Sequence, residues 1–475
     1  MTDIITVNLY QFYRDVMTQA DFEAFSDWSD AEYRAEQAHT YYDRGYWNEA
    51  LRELDAALDA NPNNCNWLFN KALTLDTLER YHDAINIYQL VRELEPNDPE
   101  TLNCLAVDYT RIGHYDMALR IFEELQDRHP DFEPSYCNRI ITYSEIGQHE
   151  KAEEMFYLAR QIKEHCSLCY YNIGNSLFSR QLYDRAIWCW QQCCNLDPHH
   201  PHIEYRIAQA YWARGDRHEA LEHFLAELRR SPGDIEVLMD TGILLLEMDE
   251  LVSAREKFNR ILELDTGSAP AHHYLGEIFL TESNLPKAIE YFNRALAVNP
   301  QHQGSHYRLG ECFLMSRQIP NAREHLLAEM RFSPDQPDVL LDLGCLLEQA
   351  GLTTEAMNCF ERVIDLTPKD IRGYQNLSLC YYLTGLIEQG MELSRKVLEM
   401  DSHYVPALHN LAYASLRKRK YKQAQNFLAQ ACQSAPHDCH LNSLKRSIKL
   451  MSLLDRAGAP FRRICRFCKN HKSRP

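Results

Sequence analysis

Apolar and small residues recur along this chain in two alternating stripes that repeat every 34 residues. With positions 1–34 counted from residue 31, positions 4, 7, 8 and 11 are apolar or small, and so are positions 20, 24, 27 and 28. Both sets have helical spacing, so each unit predicts two helices. Position 8 is small in Ala38, Ala72, Ala106, Gly174, Ala208, Gly242, Gly276, Gly310, Gly344, Ser378 and Ala412, with Ile140 the exception. Position 20 is alanine in every unit but one, where Gly390 stands. Position 24 is mostly large, as in Tyr88, Phe122, Trp190, Phe258, Phe292 and Phe360, with Ser394 the departure. Small residues let two helix backbones approach, and the large residue fills the space left between them.

Punctuation agrees with this reading. Position 15 holds glycine in Gly45, Gly113, Gly147, Gly215, Gly351 and Gly385, which predicts a turn between the helices. Position 32 holds proline in nine of twelve units. All 17 prolines between residues 31 and 438 fall at a helix boundary or first turn, where a missing N–H is harmless. The register runs unbroken over 408 residues. Gly390, Ser394 and Ser402 all fall in the eleventh unit, where a weak joint is expected.

A small residue at 8, Ala at 20, an aromatic at 24 and Pro at 32 resemble the tetratricopeptide repeat (TPR). The resemblance covers 408 of the 475 residues as twelve tandem repeats. It implies an all-α, right-handed superhelical solenoid of stacked antiparallel helix pairs, with the first helix of each pair lining a concave face. The expected organisation is an acidic capping segment over 1–30, with Leu9, Phe12, Tyr13, Val16 and Met17 at helical spacing. Repeats follow over 31–438, then a capping helix over 439–457 and a basic flexible tail over 458–475.

A second period lies within the first. At an offset of 102 residues, Tyr205-Arg206-Ile207 recurs as Tyr307-Arg308-Leu309, and His223-Phe224-Leu225-Ala226-Glu227 as His325-Leu326-Leu327-Ala328-Glu329. A three-repeat block has been duplicated, so its special features should occur twice. Glu227 and Glu329 stand where an apolar residue is usual, and each shares a helical face with the histidine four residues earlier. The favoured reading is a structural His–Glu pair. A pH-sensitive or metal-binding spot is the alternative.

The repeats leave no room for a catalytic domain, and no phosphate-binding loop, nucleophile elbow or HExxH occurs, so no enzyme and no cofactor are expected. Position 6 of each first helix should face the groove. Asn70, Asn138, Asn172, Asn376 and Asn410 form a row of amides there, which the family resemblance likens to a ladder for an extended peptide. Asn175, Tyr171, Tyr205 and Tyr307 flank the row. Arg206 with Asp240, and Arg308 with Asp342, read as internal charge pairs or as ligand contacts. The family's carboxylate clamp for chaperone tails is incomplete, because Tyr171 and Arg206 stand in two of its positions. The leading function is a non-catalytic scaffold or adaptor for an extended peptide or protein segment.

Charge adds one alternative. The net charge is −18, yet residues 417–475 hold 15 Lys/Arg against two acids, and residues 1–416 carry −31. A nucleic-acid-associated role through 417–475 is one alternative, and a regulatory subunit of a separate enzyme is another. The sixteen cysteines, with neither an export signal nor a membrane span, read as reduced thiols in a cytoplasmic protein. Cys166, Cys169, Cys193 and Cys194 read as packing residues, the alternative being four thiolates for Zn²⁺. Cys465, Cys468 and His471 have half of a metal-site spacing. The sequence leaves the oligomeric state open.

Overall fold

The computed structural model describes residues 19–332, 335–435 and 439–456, and side chains over 30–332, 335–435 and 440–453. The expectations for the capping segment's Leu9, Phe12, Tyr13, Val16 and Met17, and for the tail with Cys465, Cys468 and His471, lie outside these residues. Among the described residues there are twenty-five α-helices and no strand, an all-α helical repeat solenoid. The chain divides into two compact units, Met1–Val237 and Leu238–Pro475. No helix among the described residues is long and apolar enough to cross a membrane.

In the first unit a long helix, Gln19–Asp43, pairs with Trp47–Ala60, and further pairs begin at Cys65, Pro99, Glu133 and Ser167. In the second unit, pairs begin at Ala269, Ser305, Pro337, Ile371 and Val405, and Cys439–Arg456 follows the last. First helices open on side-chain caps such as Asn64, Asp98, Ser268 and Asp370, each accepting a backbone N–H of its first turn.

The pairing of positions 8 and 24 is visible in the packing. A methyl placed on Gly276 would lie 2.6 Å from the Phe292 ring, and one on Gly344 2.6 Å from the Phe360 ring. Gly174 meets Trp190 and Gly242 meets Phe258 in the same way. Phe258, Phe292 and Trp190 are consequently buried at 0–1% exposure. The turn at position 15 goes further than the glycines indicated. Gly45, Gly113, Gly147, Gly215, Gly351 and Gly385 have positive φ there, and so do Glu79, Gln181, Asp249, Ser283, Arg317 and Arg419. The turn geometry is thus imposed by the helix pair and not by the residue.

The eleventh pair fills its missing volume from elsewhere. A methyl on Gly390 would lie 2.8 Å from the Tyr382 ring, and Tyr382 Oη and Ser394 Oγ share a hydrogen bond at 3.0 Å. One tyrosine of the first helix thus occupies the room that positions 20 and 24 leave vacant.

Candidate ligand-binding groove

In the second unit the last turns of Ile235–Glu247 and the first helices Ala269–Thr281, Ser305–Met315 and Pro337–Gln349 line a cavity of about 770 Å³. Its wall includes Tyr274, Arg308 and Asp342 from position 6, His273 and Tyr307 from position 5, and Glu277 from position 9. Arg308 was expected to pair with Asp342. Instead its Nε donates to Glu277 Oε1 at 2.6 Å and its Nη1 to Glu311 Oε2 at 2.9 Å. Two carboxylates, one on its own helix and one on the preceding helix, hold the guanidinium between them, while Asp342 stays exposed on the next helix. Burial pushes the Glu277 carboxyl up against the pull of Arg308. Burial and the nearby Asp342 push the Tyr307 hydroxyl up to about 12.

Beside this wall His273 Nδ1 and His302 Nδ1 both lie 2.9 Å from the Oγ of buried Ser305. The two rings stand 5.0 Å apart. Burial, with His302 and Arg308 nearby, depresses His273 to about 3, so its 3.7 Å approach to Glu277 is a contact of a neutral imidazole and not an ion pair.

The amide row divides into ties and free positions. Asn138 Nδ2 donates to Asn103 Oδ1 at 3.0 Å, and Asn172 Nδ2 to the Cys137 carbonyl at 2.8 Å. Asn376 Nδ2 lies 3.8 Å from Cys345 Sγ. Each bond links a first helix to the one before it. Asn172 is buried, whereas Asn70 is exposed and Asn175 and Asn410 are half-exposed. Tyr171 packs 4.4 Å from the His200 ring. Tyr205 is buried and donates its hydroxyl to Glu236 Oε1 at 3.0 Å. Arg206 donates to Gln209 Oε1 at 3.1 Å, and Asp240 is half-buried on Ile235–Glu247.

In both copies of the duplicated block the histidine turns to position 4 of its own repeat and not to the glutamate four residues later. His223 Nδ1 meets Glu204 Oε2 at 2.7 Å and not Glu227, and His325 Nδ1 meets His306 Nδ1 at 2.9 Å and not Glu329. The face that carries them packs on the first helix of the same repeat, which supplies the nearer polar partners. Glu227 and Glu329 are both buried. The Glu329 carboxylate accepts the backbone N–H groups of Gly304 and Tyr307, both at 3.1 Å. Both blocks also have a left-handed residue before the first helix, His202 in one and Gly304 in the other, so Ile203–Arg214 and Ser305–Met315 start at position 3.

The thiols that come together are not the four of the alternative Zn²⁺ reading. Cys166 and Cys169 are joined not by Cys193 and Cys194 but by Cys137 and Glu133 of the preceding repeat, whose donor atoms all lie within 4.8 Å of one another. Cys137 Sγ is 2.7 Å from Cys169 Sγ, 3.5 Å from Cys166 Sγ and 2.7 Å from Glu133 Oε1. Burial raises the Glu133 carboxyl, and the neighbouring Cys137 and Cys169 sulfurs lower the Cys166 thiol below its usual range. Cys193 is fully buried in the apolar core, and Cys194 points to Glu204 at 4.0 Å. The signal was present in the sequence: Glu133 and Cys137 share a helical face, one repeat before Cys169.

At the basic end, Arg417, Arg419 and Lys420 are exposed at the turn between Val405–Arg417 and Tyr421–Ser434, and Lys418 pairs with Glu388. Residues 457–475 of that region lie outside the described residues.

A family model for the N-terminal TPR repeats region of Psidin matches residues 32–165. Tetratricopeptide repeat models match 205–269 and 275–337, and 337–370 and 405–438. No curated protein matches the chain. Among solved structures, the APC/C hetero-tetramer Cut9-Hcn1 is 15% identical, with 88% of this chain and 96% of that one covered and a TM-score of 0.38. Yeast Tom70 is 12% identical over 93% of this chain and 99% of that one, with a TM-score of 0.37. YrrB, described as a TPR protein with an unusual peptide-binding site, is 17% identical over 40% of this chain and 97% of its own, with a TM-score of 0.36. With repeat models matching in both units and helix pairs recurring in a 34-residue register, the chain belongs to the tetratricopeptide repeat family.

Proposed function

We propose that this protein is a non-catalytic scaffold that holds an extended polypeptide segment of a partner protein in the groove of its second unit. The observation that carries the reading is the lining of that groove. Successive first helices present Tyr274, Tyr307 and Asp342 around an arginine fixed between two carboxylates. Aromatic faces take apolar side chains, and fixed charges and amides bond an extended backbone. Asn376 and Asn410 continue the row on later first helices. The excess of acids over residues 1–416 favours a partner segment with basic side chains. Tetratricopeptide arrays generally mediate protein–protein contacts without catalysis, and we assign none here. The thirteen cysteines whose side chains are described are free thiols, which supports a reducing, cytoplasmic location.

The test is capture of native partners by the full chain, identification of the bound segment, and titration of that segment against Tyr307→Ala, Asp342→Ala and Asn410→Ala. Each should weaken binding by roughly tenfold, as for a contact worth about 1.4 kcal/mol, with helix content unchanged. Unaltered affinity in all three variants rules out the groove as the binding surface.

A further inference from the structure

We propose that Glu133, Cys137, Cys166 and Cys169 form a structural Zn²⁺ site that clamps the helix pair starting at Glu133 to the pair starting at Ser167. This site is separate from the groove and does not depend on its function. The donors come from two consecutive repeats. Glu133 and Cys137 stand one turn apart at the start of Glu133–Glu145. Cys166 caps Ser167–Ser179, and Cys169 lies in its first turn. Neighbouring first helices run side by side, so their opening turns meet. No element beyond these two is needed to complete the set.

The geometry suits a tetrahedral ion. Zn–S bonds of about 2.3 Å place sulfurs about 3.8 Å apart around a tetrahedron. Cys137 and Cys166 stand at 3.5 Å, and all four donor atoms lie within 4.8 Å of one another. Cys137 and Cys169, at 2.7 Å, are well beyond a disulfide bond of about 2.0 Å and face the same centre. Three buried thiols around one carboxylate make little sense as apolar packing, because Cys137 and Cys169 both direct their S–H at Glu133.

Chemistry selects the metal. Three soft sulfurs favour Zn²⁺ or Cu(I), and a carboxylate oxygen as fourth donor favours Zn²⁺. Four protein donors close the coordination sphere, which is the structural and not the catalytic arrangement. Supporting contacts are in place. The Cys169 backbone N–H donates to Cys166 Sγ at 3.2 Å, and the helix N-terminus there stabilises thiolate charge. Asn172 holds the Cys137 carbonyl and so fixes one helix against the other. The three sulfurs are buried, while Glu133 is half-exposed and provides the ion's route in. Zn²⁺ takes thiolates, so each thiol still protonated gives its proton to solvent on binding, and affinity falls as pH falls.

The experiment uses the full chain carrying Cys465→Ser and Cys468→Ser, so that the tail does not take up the probe. Reduced, metal-free protein is titrated with Co²⁺. The expected result is one equivalent bound, with the d–d bands of a tetrahedral thiolate site and a sulfur-to-cobalt charge-transfer band, all displaced by Zn²⁺. Cys169→Ser should abolish the charge-transfer signal or cut it sharply. Cys169 is buried and its replacement can disturb folding, so Glu133→Gln serves as the second variant. It should weaken binding at least tenfold with helix content unchanged, while Cys193→Ser should bind as the parent does. Absence of these bands in the reduced parent overturns the site. So does a spectrum unchanged by both Cys169→Ser and Glu133→Gln, or a Cys137–Cys169 disulfide mapped in protein purified without oxygen.

Discussion

Glu329 Oε2 accepts the backbone N–H of Tyr307 at 3.1 Å, so a second helix caps the first helix of its own repeat. Its other oxygen takes the N–H of Gly304. Both N–H groups belong to the set that every helix N-terminus leaves without an intrahelical partner. A buried carboxylate at position 27 is therefore paired with the late, left-handed start of Ser305–Met315. Glu329→Ala should cost about 2 kcal/mol, the scale of leaving buried donors unsatisfied. Amide hydrogen exchange should show the loss of protection concentrated in Ser305–Met315, since solenoid repeats couple mainly to their neighbours. Exchange in that helix indistinguishable from the parent would show that water replaces the carboxylate without loss.

Gly344→Ala tests the close approach of two backbones. Helix propensity alone favours the alanine by about 1 kcal/mol. The structure reverses the sign, because the new methyl would stand 2.6 Å from Phe360 Cε1 on a ring that is 2% exposed. Overpacking of this kind costs about 1–3 kcal/mol. The substitution should lower the denaturation midpoint, and adding Phe360→Leu should recover part of the loss. The first and twelfth repeats already use that combination, Ala38 with Leu54 and Ala412 with Leu428. A Gly344→Ala chain as stable as the parent would mean that the helices separate freely at this contact.

The fold was legible because one short motif recurs with no insertion. Position 8 read as small and position 24 as large fixed the interior of each pair, down to contacts such as Gly276 with Phe292. Partners across repeats were harder to read. Arg308 had a plausible acid at position 6 of the next helix, but two carboxylates at position 9 surround it instead. Cys166 and Cys169 drew attention to the nearby Cys193 and Cys194, whereas the donors beside them lie one repeat earlier. Tyr382 illustrates the same point, since nothing at its own position announces that it fills the space beside Gly390. Periodicity reports which face a residue is on. Which of several polar neighbours it reaches depends on side-chain length and on the direction of the adjacent helix.

Ser283→Gly should stabilise the chain. Ser283 has φ of 60° at a turn where six other repeats place glycine. A side chain in that conformation costs about 1 kcal/mol that glycine avoids. The exposed serine gives up no hydrogen bond described for it, so the backbone effect should dominate. The denaturation midpoint should rise, and the reverse change Gly113→Ala, at φ of 79°, should lower it. If both substitutions shift stability in the same direction, the turn is not under the conformational control proposed for it.

Acid should weaken the second unit through His273. Burial depresses this imidazole from 6.5 to about 3, so the folded chain keeps it neutral where the unfolded chain protonates it. Between those values the unfolded state binds the extra proton, and stability falls as pH falls. The contribution is fully present above about 6.5 and is lost progressively on acidification towards 3, with a slope of at most about 1.4 kcal/mol per pH unit. His302, Arg308, Glu277 and Ser305 face the ring, and only Glu277 would welcome its charge. His302 and His325 are shifted down by burial as well and add to the same limb. Urea midpoints at neutral, mildly acidic and more acidic pH should fall less steeply in His273→Gln than in the parent, whatever the variant's stability at neutral pH. Parallel slopes in the parent and His273→Gln would place the acid sensitivity elsewhere in the chain.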